Sequence, residues 1–124
     1  TVAAFEQQPP DPCGMTYGII DGHGWNMAFD HDRGRLAGIY DFADSGIGPL
    51  QQEFIYSNFI SPDLTDRIIT RYEALTGREI DRGRVAILTG MHRLSELSGL
   101  ADDPEHAPAM IRYVAEWGAM ADGL

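Results

Sequence analysis

Lysine is absent from this sequence: all nine cationic side chains are arginine. No Schiff-base, Walker-type or general-base lysine is therefore open to any mechanism this chain runs. A single cysteine, Cys13, excludes an internal disulfide and a cysteine-rich metal site, and suits a reducing, cytoplasmic setting. Positive charge is scarce too. Nine cations face nineteen acidic side chains, and the net charge of −10 excludes a nucleic-acid binder that tracks phosphates. No apolar run approaches the ~20 residues of a membrane span, and the first residues lack the basic-then-apolar pattern of a signal peptide. The acidity favours a cationic small molecule as partner.

What is present is ordinary. The chain has 124 residues, 44% apolar and 23% charged, which is room for one domain with a real core. It begins with Thr1 rather than Met, and so reads as a processed or cut piece. Residues 1–14, with Pro9, Pro10 and Pro12, read as an extended lead-in. Met15–Ile20 suits a strand, and the polar, glycine-rich stretch 21–26 suits a loop. Residues 26–30 and 36–40 predict a hairpin around His31-Asp32-Arg33-Gly34, followed by a second glycine-rich loop from Asp41 to Pro49.

Beyond Pro49 the apolar period changes from two to about 3.6. Leu50–Phe59 reads as one short helix. Ser61-Pro62 predicts a capped helix start, with Leu64, Ile68, Tyr72 and Leu75 on the buried face and Gly77 as the stop. A third helix over about 81–98 carries Val85, Leu88, Met91 and Leu94. Asp103-Pro104 starts a last one, with Met110, Val114, Trp117 and Ala121 facing inward. The expected fold class is α+β. A small antiparallel hairpin unit with two polar loops (1–49) precedes a subdomain of about four helices (50–124).

The two loops hold the candidate chemistry. Asp21 and Asn26 lie in the first, and Asp41 ends the hairpin's second strand, fifteen residues beyond Asn26. A hairpin brings its outer ends together, which makes Asn26 and Asp41 neighbours, with Asp21 across the loop. Two carboxylates and an amide oxygen are hard ligands that suit Mg²⁺ on nucleotide phosphates. Phosphoryl transfer needs this set: a carboxylate to take the hydroxyl proton, and an Asn and an Asp to hold the metal.

The segments Asp21-Gly22-His23-Gly24-Trp25-Asn26 and Ile39-Tyr40-Asp41-Phe42-Ala43-Asp44-Ser45-Gly46-Ile47-Gly48 resemble the catalytic and metal-binding loops of the aminoglycoside phosphotransferase family. The likeness runs from about Thr16 through the last helix. It implies the C-terminal lobe of a protein-kinase-like fold, acting with ATP and Mg²⁺ on a substrate hydroxyl. By that resemblance Asp21 is the catalytic base and Asn26 and Asp41 are metal ligands. His23 organises the loop, and Glu53 braces it. The family's glycine-rich hairpin and strand lysine precede the catalytic loop, so the resemblance also implies an N-lobe outside this chain. The chain alone is then inactive, and self-association of its uncovered apolar surface is expected.

Three departures support a second reading, a non-catalytic, degenerate lobe that binds or assembles. Ile19-Ile20 replace the usual His-Gly, Ala43 replaces Gly, and Trp25 stands where a small residue is common. The other polar clusters read as ordinary. Asp30, His31 and Asp32 are turn residues, His92 and His106 lie at the surface, and Glu73, Glu79 and Asp81 form a solvated face. Met91, Met110 and Trp117 belong to the core, and Cys13 is incidental.

Overall fold

A computed structural model describes residues 1–121. In order these form α1 (Val2–Glu6), β1 (Met15–Gly18), a 3₁₀ turn (Gly24–Asn26), β2 (Met27–Asp30), β3 (Arg35–Ile39) and β4 (Gly46–Pro49). A second 3₁₀ turn (Leu50–Phe54), α2 (Ile55–Asn58), α3 (Pro62–Thr76), α4 (Arg82–Gly99) and α5 (Ala107–Ala121) follow. The fold class is α+β, as expected. Residues 122–124 of the expected helical subdomain lie outside the described residues. The chain divides into two compact units, one made of Thr1–Gln8 with the chain from Arg82 onward, the other of Pro9–Asp81.

In the unit Pro9–Asp81, β2 and β3 form the expected antiparallel hairpin, with Met27 opposite Ile39 and an irregularity between Ala28 and Phe29. The second pair was not expected. β4 lies inside the stretch read as loop and pairs antiparallel with β1, Tyr17 opposite Ile47 and Gly18 opposite Gly46. Gly46 and Gly48 hide the strand from a propensity reading. The Ile20 side chain lies against this strand, its Cδ1 3.4 Å from where a Cβ on Gly48 would stand, an ordinary contact distance. Likewise, Leu50–Asn58 is not one helix but a 3₁₀ turn running into a single α-turn.

Buried Gln51 ties this unit together. Its backbone N–H donates to Asp11 Oδ2 at 2.9 Å and its side-chain Nε2 to Asp11 Oδ1 at 3.0 Å, while Oε1 accepts from Asp81 N–H at 2.9 Å. A side chain that is 0% exposed thus meets its polar demand, which is the condition for burying an amide. The same unit buries Leu50, Phe54, Ile55, Ile69 and Ile80 as its apolar core. The Ser57 and Thr65 hydroxyls pair at 2.9 Å between α2 and α3.

The cap signals of α3 operate as read. Ser61 Oγ accepts from Leu64 N–H at 3.1 Å, Pro62 opens the helix, and Gly77 closes it at φ +69°. The buried face is one position away from the expected one: Thr65 and Ile69 are buried, whereas Ile68 and Leu75 are exposed. Thr65 sits inward because Ser57 gives its hydroxyl a partner, and Ile69 follows one turn later. Glu73, read as solvated, accepts from Ile80 N–H through Oε1 at 2.8 Å.

The other unit joins α1 to α4 and α5. Residues 2–6 are helical because the proline-free run Val-Ala-Ala-Phe-Glu precedes Pro9, which corrects the extended reading. Gln8 Oε1 accepts from Arg84 Nη1 at 3.1 Å. Between α4 and α5, Trp117 Nε1 donates to the Ala86 carbonyl at 3.2 Å, and the indole lies over Gly90. A Cβ there would stand 2.4 Å from the ring. The inward stripe of α4 therefore centres on Val85, Thr89, Gly90 and Arg93, with Leu88, Met91 and Leu94 at its border. No residue of α5 is fully buried.

Two substitutions test this packing. Ile69→Ala removes a side chain that is 1% exposed and should cost about 2–5 kcal/mol by urea unfolding, while Ile68→Ala should cost under about 1 kcal/mol. Equal losses at the two positions would refute the register. Gly90→Ala should destabilise by about 1–3 kcal/mol, because Trp117 has to move.

Candidate functional site

The loop between β1 and β2 leaves the sheet through an unusual backbone. Ile20 lies at φ +60°, a left-handed conformation that a β-branched residue avoids. What holds it is Glu53, whose Oε1 accepts from Ile20 N–H and Oε2 from Ile19 N–H, each at 3.0 Å. Gly18 is required beside it. A Cβ there would fall 2.2 Å from the Glu53 carboxyl carbon, so only glycine lets the carboxylate reach the two amides.

Asp21 follows directly. Its backbone carbonyl and its Oδ2 both accept from Asn26 Nδ2, each at 2.9 Å. Two acceptor oxygens require the amide nitrogen to face them, which leaves Asn26 Oδ1 uncommitted among the described residues. Oδ1 of Asp21 stands 3.3 Å from His23 Nε2. The loop turns tightly, with His23 N–H donating to Asp21 O at 2.9 Å and Asn26 N–H to His23 O at 3.0 Å. Trp25, between His23 and Asn26, is 81% exposed and meets the His23 ring edge-on at 5.9 Å.

The hairpin connects this loop to Asp41. Tyr40 N–H donates to Asn26 O at 3.0 Å, one step beyond the β2–β3 ladder, and the Tyr40 hydroxyl donates to Trp25 O. Asp41 comes next at φ +62°, the second non-glycine residue with a left-handed backbone. Its carboxylate is exposed, with no hydrogen-bond or ion-pair partner among the described residues. Two backbones of this kind, each costing about 1–3 kcal/mol, flank one small region, which is where strain tends to be retained for function.

Asp21, His23 and Asn26 are thus in direct contact, Glu53 is bonded to the backbone preceding Asp21, and Asp41 is linked to Asn26 through Tyr40. Sequence reasoning passed over Tyr40, whose hydroxyl nothing in the motif announces. It also passed over Tyr56 on α2. Burial pushes the Tyr56 phenol up, and the carboxylates of Asp21, Glu53 and Asp44 reinforce the shift, whereas a hydrogen bond with Gln52 opposes it. The only sequence signal for Tyr56 is an aromatic residue in an apolar run, the same as for a core residue.

Among the described residues no three of His, Cys, Asp and Glu gather as a metal-binding group. The free oxygens here are one carboxylate and one amide, a donor set that fits Mg²⁺ completed by phosphates and water better than a metal caged by protein. A model of the phosphotransferase enzyme family matches residues 3–88, a span containing Asp21, His23, Asn26, Asp41 and Glu53. The match begins ahead of Thr16 and ends within α4, short of the last helix to which the resemblance was extended. No curated protein and no solved structure matches the chain significantly.

Glu53→Gln tests the brace. An amide cannot accept from both backbone groups as a carboxylate does, so amide exchange at Ile19 and Ile20 should accelerate and stability fall by about 1–3 kcal/mol. Gly18→Ala should produce the same local exchange signature. Unchanged protection at Ile19 and Ile20 in both variants would show that Glu53 does not hold the loop.

Proposed function

Because this chain belongs to the phosphotransferase enzyme family, we propose that it carries the catalytic and metal-binding loops of an ATP- and Mg²⁺-dependent kinase of small-molecule hydroxyls. The observation that carries the reading is the contact of Asp21 with Asn26 and His23, beside an uncommitted Asp41. Asp21 is the base. Its carboxylate takes the acceptor hydroxyl's proton as the oxygen forms its bond to the terminal phosphorus and the bond to the leaving diphosphate breaks. Asn26 Nδ2 orients that carboxylate, and His23 borders its other oxygen. Asn26 Oδ1 and the Asp41 carboxylate are the residues that would hold Mg²⁺, which when bound neutralises charge on the triphosphate. Glu53 fixes the backbone from which Asp21 projects.

This reading places the chain in the C-terminal lobe of a kinase-like protein, with the glycine-rich hairpin and lysine supplied from elsewhere. No helix among the described residues is long and apolar enough to cross a membrane. The acceptor is a small molecule, and the net charge of −10 favours a cationic one. One feature favours the alternative, a non-catalytic binding module: the large exposed indole of Trp25 inside the catalytic loop.

Asp21→Ala in the full-length protein separates the two. Phosphate transfer from ATP should fall by at least about 10²-fold, the lower range for loss of a general base, with the melting temperature nearly unchanged. Calorimetry should find ATP binding that Mg²⁺ strengthens. Wild-type turnover in the variant would remove Asp21 from the role of base, and absence of metal-dependent ATP binding would favour the binding module.

A further inference from the structure

We infer that Tyr40 is a positioning residue that sets Asp41 against the catalytic loop for metal binding, an inference that rests on the phosphotransferase reading. The residue makes two bonds to consecutive carbonyls of one short turn. Its N–H donates to Asn26 O at 3.0 Å and its hydroxyl donates to Trp25 O. The first continues the hairpin ladder and belongs to any residue at this point. The second is a property of tyrosine alone. A 3₁₀ turn as short as Gly24–Asn26 leaves carbonyls without partners inside the turn, and Trp25 O finds its donor on the strand leading to Asp41.

Apolar burial does not explain this tyrosine. It is 52% exposed, so its ring adds less to the core than a buried aromatic does, and phenols this open ordinarily point to water. Its neighbour supplies a reason. Asp41 holds a left-handed backbone at φ +62°, and such a conformer persists where the surroundings over-determine it. Two bonds from Tyr40 fix the peptide leading into Asp41 relative to the turn that ends in Asn26. Beyond the hairpin ladder, the Tyr40 hydroxyl is the side-chain bond that ties the strand leading to Asp41 to that turn. Removing the hydroxyl leaves the ladder bond and the fold in place, but frees the turn to shift against Asp41.

The test compares Tyr40→Phe and Tyr17→Phe in the full-length protein, Tyr17 being an exposed tyrosine on β1 outside this site. Calorimetry measures ATP binding across a series of Mg²⁺ concentrations and with no divalent metal. Tyr40→Phe should raise the Mg²⁺ needed for half-maximal binding by roughly three- to tenfold, the range for one lost hydrogen bond. Its metal-free ATP binding and melting temperature should match wild type, and Tyr17→Phe should be silent throughout. A wild-type Mg²⁺ response in Tyr40→Phe overturns the inference alone. So does a variant that loses metal-free binding and thermal stability together, since that is a folding role. Absence of Mg²⁺-dependent ATP binding in the wild-type protein overturns the phosphotransferase reading, and this inference with it.

Discussion

The bidentate grip of the Glu53 carboxylate on the Ile19 and Ile20 amides is the interaction on which the site depends. Ile20 pays a steric penalty at φ +60°, and that penalty aims the next residue, Asp21, into the loop. Charge-assisted bonds to two consecutive N–H groups are strong enough to hold such a conformation. They also tie it to the turn ahead of α2, so the loop geometry is inherited from the part of the unit that contains Phe54 and Ile55. Without the carboxylate, the Ile19 and Ile20 amides lose the acceptors that restrain the backbone before Asp21.

From that anchor the site builds outward in steps of decreasing rigidity. Asn26 is buried and bonded twice to Asp21. His23 touches the remaining carboxylate oxygen at a longer distance. Asp41 stands at the margin, exposed and joined to the loop through Tyr40, by its backbone N–H and its hydroxyl. The gradient suits its proposed chemistry. A base has to be held in place before the acceptor arrives, whereas a metal ligand completes its surroundings with a hydrated cation and its phosphates.

The parts legible in the sequence are those with local causes. Asp21, His23 and Asn26 fall within six residues, so their contact follows from one turn, and the hairpin follows from a polar turn between two short apolar runs. Ser61, Pro62 and Gly77 announce α3 through chemistry that acts over a single turn. The illegible parts depend on what lies across the fold. β4 is disguised by its two glycines, and only its pairing with β1 across the fold reveals it. The inward face of α3 is displaced because the Ser57 hydroxyl accepts a buried threonine, and that of α4 because Trp117 needs Gly90. Tyr40 and Tyr56 resemble structural aromatics, since only three-dimensional neighbours distinguish them.

Gln51 has a topological effect beyond its own hydrogen bonds. It clasps Asp11 near the start of the unit Pro9–Asp81 and Asp81 at its end, so the chain comes in and goes out at a single amide. The strands, the strained loop and α3 therefore form a ring closed by non-covalent bonds. Once the ring is shut, motion of one end of the unit is opposed by the other through the same side chain, so the loop carrying Asp21 sits inside a closed circuit rather than on an open strand.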